Sequence, residues 1–261
     1  MNSSKRLKGL SLKVGPLGEN DRLLTILSNE EGVTRLAVPG ARRPKSKLAA
    51  TAPLTLLDLQ IGGRSQLQRV RHAKVLRSYT KVGQQLETLA AAQALAELTL
   101  LLVAGNDPLP GMLNTVLIHL ERLEETEKNG EIDKVITLAK SVQSCVHLLA
   151  LGGYGLPIQR CCQSGLPLEP PIGKWDWRCS LIPEEGFAIG SIINTEIQLN
   201  PSELALLQKL IGPNLPRRRN GELMGPKKVW LRLLIVVEHW ISNHLPKNLS
   251  ALKMLRESLL D

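Results

Sequence analysis

The chain has 261 residues, enough for one large domain or two to three small ones. Its 33 Lys and Arg residues outnumber 24 Asp and Glu residues, and the net charge of +9 indicates a polyanionic partner. The N-terminus has no apolar run of the signal-peptide kind, and the most apolar late segment, residues 231–241, is too short and too charged to span a bilayer. We therefore expect a cytoplasmic protein that has no membrane partner and keeps its cysteines reduced.

The positive charge is concentrated in the first third of the chain. Residues 1–82 carry a net charge of +11, whereas the remaining 179 residues carry −2. A surface charged only for solubility mixes both signs more evenly. The distribution predicts a cationic binding domain joined to a nearly neutral body.

The first eighty residues contain five apolar runs separated by turn-forming residues, which predict short β-strands. In the fourth run, Leu57, Leu59 and Ile61 recur at every second position, as on a strand with one buried face. Five short strands suit a small closed barrel, and the OB-fold is the commonest five-stranded barrel that binds oligonucleotides. The pattern alone leaves an SH3-like barrel open. The runs are KGLSLKVG, DRLLTILS, GVTRLAVP, PLTLLDLQIG and LQRVRHAKVLRSY.

Helical periodicity begins at Gly83. An Ala- and Leu-rich helix comes first and is apolar on nearly every side, which predicts a buried position. The sequence Asn-Asp-Pro at 106–108 predicts the cap of a second helix, and a third runs to the glycines at 152–153. After a loop-rich segment rich in Pro, Gly, Trp and Cys, three more helices follow, the first capped by Asn200 or Ser202. The predicted domains are an OB-fold at 1–82, a helical bundle at 83–156 and 199–261, and an insertion at 157–198.

Cations of the predicted barrel are the candidate DNA-binding residues. Four of them fall within the loop sequence ARRPKSK, and others lie on the last strand, together with Arg64 and Arg77. Guanidinium and ammonium groups on one face suit contacts to phosphates. Tyr79 is the only aromatic residue of this region, so binding is expected to be mostly electrostatic. The candidate residues are Arg22, Arg35, Arg42, Arg43, Lys45, Lys47, Arg69, Arg71 and Lys74.

Neither a metal site nor a catalytic site is expected. Cys161 has Ser164 where a C-x-x-C zinc knuckle needs its second ligand, and Cys145 falls in a predicted helix as a small buried group. A residual metal site around Cys161, Cys162 and Cys179 stays open. The histidines do not form H-E-x-x-H, and the chain lacks a P-loop and a G-x-S-x-G motif. We predict a protein that is not an enzyme and needs no cofactor.

A second basic sequence, PRRRN at 216–220, lies far from the barrel in the chain. It is interpreted as an exposed turn. The alternative is a patch that meets an acidic peptide or a second DNA strand.

Three segments resemble the RecO family of recombination mediator proteins by their order and spacing. LKVGPLGENDRLLTILSNEEG is similar to the family's first hairpin and contains its turn at residues 18–22. VPGARRPKSKLAA is similar to the basic stretch that follows a glycine, and HLLALGGYGLPIQRCCQSG to the segment leading to the first zinc knuckle. The resemblance covers nearly the whole chain.

The resemblance implies an α+β protein: an N-terminal five-stranded OB-fold barrel, then a helical bundle carrying a zinc-ribbon-like insertion. The insertion is degenerate, because the second C-x-x-C is missing, so it must be held by packing, with Trp175, Trp177 and Phe187 as candidates. Family members bind single- and double-stranded DNA and anneal complementary strands in the RecF pathway of DNA repair and recombination after DNA damage. With RecR they load RecA onto DNA coated by single-stranded-DNA-binding protein, and they bind the acidic C-terminal tail of that coating protein. Such a protein is expected to be cytoplasmic and associated with the nucleoid.

Two other classes stay open at this point. One is a protein-interaction adaptor whose basic barrel binds an acidic peptide. The other is an RNA-binding OB protein, which would discriminate through the 2′-hydroxyl.

Overall fold

The computed structural model describes residues 4–63, 67–128, 131–193 and 195–259. A five-stranded sheet comes first and helices dominate the rest, which confirms the predicted α+β class. The chain divides into two compact units, residues 1–124 and residues 125–261.

Five β-strands of the first unit close into a barrel with the order β1-β2-β3-β5-β4. All neighbouring pairs are antiparallel except β3 and β5, which run parallel. All five predicted runs are strands of this barrel. The strands are β1 (Ser4–Leu17), β2 (Asp21–Ser28), β3 (Gly32–Val38), β4 (Thr55–Gly62) and β5 (Gln68–Ser78).

Alternating side chains of the strands fill the barrel. Leu57, Leu59 and Ile61 of β4 are fully buried, as their period predicts, and they pack with apolar residues of the other strands. The alternate β4 positions therefore face outwards. Gly32 makes the turn between β2 and β3 at a φ of 62° and lies so close to the backbone of Asp107 that a Cβ would clash with it.

Two helices complete the first unit: α1 (Leu86–Leu102) and α2 (Met112–Glu124), preceded by a 3₁₀ turn at Thr80–Gly83. The run from Ala90 to Leu98 is almost wholly buried, which confirms the predicted central helix.

The prediction that Asn-Asp-Pro caps α2 is wrong. Pro108, Pro110 and Gly111 delay the start of α2, and Asn106 instead contacts the Thr34 hydroxyl at 3.4 Å.

The second unit is built mainly from α3 (Lys134–Leu151), α4 (Pro201–Lys209), α5 (Lys227–His244) and α6 (Ser250–Glu257). Asn200 rather than Ser202 caps α4, through a reciprocal capping box with Glu203. Helices α3 and α5 pack together, with Trp230 of α5 fully buried. By length and composition α3 would be able to cross a membrane, but 61% of it is buried inside the protein, as in a core helix.

The segment between α3 and α4 carries a three-stranded sheet made of β8 (Cys179–Ile182), β9 (Gly186–Ile189) and β10 (Gln198–Leu199), in the order β10-β8-β9. Phe187 of β9 is fully buried and Trp177 is half-buried, in line with their expected packing role. The prediction that Trp175 helps to pack the insertion is wrong, because 71% of its surface is exposed. Two further short strands of this unit pair with each other: β6 (Glu127–Lys128) and β7 (Glu131–Ile132).

Candidate nucleic-acid interface

The basic loop, residues 39–54 between β3 and β4, is anchored to the turn between β1 and β2. The backbone N–H of Gly40 donates to the Asp21 carboxylate at 2.8 Å, and the N–H of Arg42 donates to the Asn20 carbonyl at 2.9 Å. The guanidinium of Arg42 also donates to the Gly18 carbonyl at 2.9 Å. These three bonds hold one end of the loop in place. A loop fixed in this way presents its charges without first paying the full entropy of ordering.

Four cations project from this loop into solvent: Arg42, Arg43, Lys45 and Lys47. Within the described part of the chain, none of the four forms an ion pair with a carboxylate. Lys45 lies in the left-handed region with a φ of 59°, which is uncommon for a residue with a side chain. Their charges are therefore available to an anionic ligand.

Arg22 joins the same surface from β2. Its guanidinium donates to the Ala49 carbonyl at 3.2 Å, so β2 and the loop are tied together a second time. Arg22 and Arg42 line a groove of about 470 Å³ whose other walls include Pro16 and Pro53. We call Arg22, Arg42, Arg43, Lys45 and Lys47 the loop cluster.

Arg35 and Arg69 lie elsewhere, where β3 and β5 run side by side. Ala37 pairs with Arg69, and Arg35 is two positions before Ala37 on the same outward side of β3. Through Thr25 of β2, Arg35 is also in register with Lys13 of β1. Lys13 was not among the predicted residues, although its place between the buried Leu12 and half-buried Val14 marks an exposed strand position.

Arg71 and Lys74 lie on the outer side of β4 and β5, apart from the loop cluster. Lys74 is opposite Asp58 of β4, and the Arg71 guanidinium lies against Gly62. Two exposed cations of β1, Arg6 and Lys8, share this side and were also missed. They flank the buried Leu7, so strand alternation is the signal that would have identified them.

Arg77, unlike the loop cluster, is paired with carboxylates of α2. Its guanidinium pairs with Glu121 at 2.5 Å and Glu124 at 3.1 Å, and it lies 4.7 Å from the ring centre of Tyr79. Tyr79 is only 2% exposed, so its ring offers no platform for a base. Burial raises the pKa of the Tyr79 hydroxyl, and the charge of Arg77 opposes that shift. Arg64 lies outside the described residues.

The cysteines of the insertion do not fit a zinc ion. The Cys161 thiol accepts N–H bonds from Ser164 at 3.5 Å and Ile189 at 3.4 Å, a knuckle-like arrangement with a serine in the place of the second thiolate. Over the described ranges, no group of three or more Cys, His, Asp or Glu side chains is arranged to hold a metal. Burial would raise the pKa of Cys161, but bonds from the Ser164 hydroxyl and from backbone N–H groups outweigh it and lower that pKa to about 7. Burial raises the pKa of Cys145 and of Cys179 to about 12.

The second basic sequence forms an exposed turn, as interpreted from the sequence. Arg217, Arg218 and Arg219 are all exposed. The Arg217 guanidinium donates to the Gly221 carbonyl at 2.7 Å, and Arg218 lies 3.8 Å from Glu222. Local contacts thus occupy two of the three guanidiniums.

Comparison with known proteins gives full-length matches. The family described as Recombination protein O N terminal matches residues 1–79, and Recombination protein O C terminal matches residues 83–253. DNA repair protein RecO of Prochlorococcus marinus (strain MIT 9303) is 68% identical over 260 residues, covering 100% of this chain and 97% of the relative. The RecO protein of Synechococcus sp. (strain WH7803) is 60% identical, covering 99% and 96%, and that of Cyanothece sp. (strain PCC 7425 / ATCC 29141) is 31% identical, covering 95% and 81%.

These descriptions name a recombination and DNA repair protein, which confirms the expected role in DNA repair and recombination. Both halves of the chain match, in the expected order, and the resemblance seen in the three sequence segments is confirmed. The chain belongs to the RecO family.

Proposed function

We propose that this protein is a mediator of DNA repair and recombination whose N-terminal barrel, of the OB type, binds the phosphate backbones of single- and double-stranded DNA. Family membership supports the coarser part, a role in DNA repair and recombination. The observation that carries the rest is the loop cluster, in which Arg22 of β2 joins four exposed cations on an anchored loop, all without described carboxylate partners.

The chemistry of the cluster favours backbones over bases. Lys and Arg side chains contact phosphate oxygens without reading sequence, and the barrel's aromatic residue, Tyr79, is buried. Neutralising the phosphates of two DNA strands reduces their repulsion, after which base pairing itself drives annealing. This is the part of annealing that a protein without a catalytic site is able to supply.

We further propose the partners that family resemblance implies. These are RecR, the acidic C-terminal tail of single-stranded-DNA-binding protein, and RecA indirectly, in the cytoplasm at the nucleoid. For the tail we favour a groove of about 360 Å³ between α5 and α6, lined by Leu249, Leu252 and Lys253. Lys253 lies 3.8 Å from Glu257, so a peptide carboxylate has to compete with that exposed pair, which is weak.

One observation also favours the adaptor alternative. A cationic loop beside a groove lined by Pro16 and Pro53 is compatible with an acidic peptide as well as with DNA. In that case DNA affinity would be incidental and would disappear at moderate salt.

The test is a binding series with single-stranded DNA, duplex DNA and RNA of equal length across salt concentrations. Our proposal predicts binding to both forms of DNA, with a log–log salt slope for single-stranded DNA of roughly −3 for four phosphate contacts. Loss of all DNA binding at moderate salt, with tight binding to an acidic peptide, would favour the adaptor. A clear preference for RNA would contradict both.

A further inference from the structure

The outer side of β1, β4 and β5 carries polar side chains in two aligned rows. In the first row Arg6, Gln60 and His72 are cross-strand neighbours. In the second row Lys8, Asp58 and Lys74 are neighbours in the same way. Adjacent strands are about 4.8 Å apart, so each row brings its three side chains within reach of one ligand. We call these six residues the outer face.

The outer face is concave and lined by hydrogen-bonding groups. A groove of about 500 Å³ runs along it, between side chains that include Ser4, Arg6, Asp58, Gln60, His72 and Lys74. Gln60 donates to the Ser4 hydroxyl at 3.4 Å and keeps further donor capacity. Ala73 is the apolar residue of the lining, and no large apolar anchor of the kind that dominates protein–protein contacts is present among the described lining residues.

Asp58 organises the cations of this face. The Arg6 guanidinium donates two bonds to the Asp58 carboxylate, at 3.1 and 2.7 Å, while the Arg6 side chain stays 81% exposed. The bond from Arg6 lowers the pKa of Asp58, and the charges of Arg6, Lys74 and Lys8 act in the same direction, whereas burial opposes them. Arg6 retains three N–H groups for an anion. Three cations against one carboxylate leave the face with a net positive charge, without counting His72.

Arg71 extends the cationic surface at the end of the groove. A Cβ on Gly62 would lie 3.0–3.1 Å from the Arg71 guanidinium, so the missing side chain of Gly62 lets Arg71 lie across β4. Gly62 is the cross-strand partner of Ser4, which lines the groove. Lys5 also borders the groove, but it is paired with Glu31.

The outer face is separate from the loop cluster. Arg22 of the loop cluster is opposite Pro16 of β1, whereas Arg6 is ten residues earlier on that strand. Ten residues of extended strand correspond to a path of about 30 Å. The two surfaces therefore lie towards opposite ends of β1.

We propose that the outer face is a second binding site for a nucleic-acid backbone, which holds a second DNA strand while the loop cluster holds the first. This inference rests on the proposed function. The combination of separated cations, hydrogen-bond donors and no large apolar anchor suits phosphate and sugar groups. Holding both strands on one barrel raises the effective concentration of each for the other, which promotes annealing without any covalent chemistry.

The test is a second-strand capture assay with the full-length protein. The protein is bound to an immobilised oligothymidine, washed, and then titrated with a labelled oligothymidine, which cannot pair with the first. Wild-type protein is expected to capture the labelled strand. The variant Lys8→Ala with Lys74→Ala removes two exposed cations that form no ion pair with a described carboxylate, and it is expected to weaken capture about 25-fold at 0.1 M salt if each contributed one phosphate contact.

A variant that is expected to strengthen capture distinguishes the loss of a DNA contact from a loss of binding caused by misfolding. Asp58→Asn removes the carboxylate and frees Arg6, so it is expected to strengthen second-strand capture about fivefold at 0.1 M salt. Lys174→Ala with Lys247→Ala is the matched control, because it removes two exposed cations of the second unit, and it should leave capture unchanged.

The outcomes separate the inference from the proposed function. Binding of the first strand without capture of a second would overturn the inference alone, as would capture by the Lys8, Lys74 variant at the wild-type level. Failure of the wild-type protein to hold the first strand would refute the proposed function, and the inference with it.

Discussion

Removing two cations of the loop cluster should reduce the salt dependence of single-stranded DNA binding by a calculable amount. We choose Arg43→Ala with Lys47→Ala, because both side chains are exposed and neither makes a described hydrogen bond or ion pair. Arg42 is spared, since its bond to Gly18 helps to anchor the loop. The double variant is therefore expected to change charge and leave the fold intact.

The magnitude follows from counterion release. Counting the four exposed cations of the loop itself, and leaving out the half-buried Arg22 of β2, the log–log slope on single-stranded DNA is about −2.8, and with two of them removed it is about −1.4. Between 0.05 and 0.2 M salt the affinity should fall about 50-fold for wild-type protein and about sevenfold for the variant. At 0.1 M salt the variant should bind about 25-fold more weakly.

Fluorescence anisotropy with a labelled oligothymidine of about ten nucleotides measures these slopes, since a strand of that length suits the single OB-type site that we propose. The control is again Lys174→Ala with Lys247→Ala, which makes the same change of charge in the second unit. Its slope should equal that of wild-type protein. Parallel slopes for wild-type protein and the Arg43, Lys47 variant would refute the assignment of the loop to the site.

Three further predictions concern the fold. Leu59→Ala truncates a fully buried barrel residue and should lower the free energy of unfolding by about 2–5 kcal/mol in urea denaturation; a loss below about 1 kcal/mol would contradict its place in the core. Arg77→Ala should lower the free energy of unfolding by about 1 kcal/mol, because it removes two partly exposed ion pairs and a cation–π contact. The salt slope of DNA binding should stay unchanged in this variant. A flattened slope would instead make Arg77 a DNA contact. Because the pKa of Cys161 is lowered from 9.0 to about 7, the thiolate stabilises the fold fully above pH 9, and this contribution is lost as the pH falls to 7. The Tm advantage of wild-type protein over Cys161→Ser should therefore grow from pH 7 to pH 9, and a constant difference would contradict the shift.

The strands and helices were predictable where burial follows a simple period. Leu57, Leu59 and Ile61 alternate because β4 has one face in the barrel, and the apolar Ala/Leu run of α1 is buried on nearly all sides. The prediction that Asn106 caps α2 failed, because the prolines that follow it delay the start of the helix despite the local capping sequence. The prediction that Trp175 packs failed, because the size of a side chain in a loop does not determine whether other residues pack against it.

The positions of the cations were less predictable than their presence. Charge counting identified the barrel as cationic, but the partner of each cation depends on residues distant in sequence. Arg77 contacts Glu121 and Glu124 on α2, more than forty residues later. Arg6 and Lys8 were overlooked although they lie with Lys5 in the sequence KRLK, because they form one surface with Lys74 only when β1 and β5 pair with the two sides of β4.

Lysine footprinting tests most directly whether polynucleotide backbones bind at the loop cluster. The protein is acetylated with and without saturating single-stranded DNA, and the modification of each lysine is measured by mass spectrometry. We predict that DNA protects Lys45 and Lys47, while Lys174 and Lys247 of the second unit react equally in both samples. Equal acetylation of Lys45 and Lys47 with and without bound DNA would contradict the account.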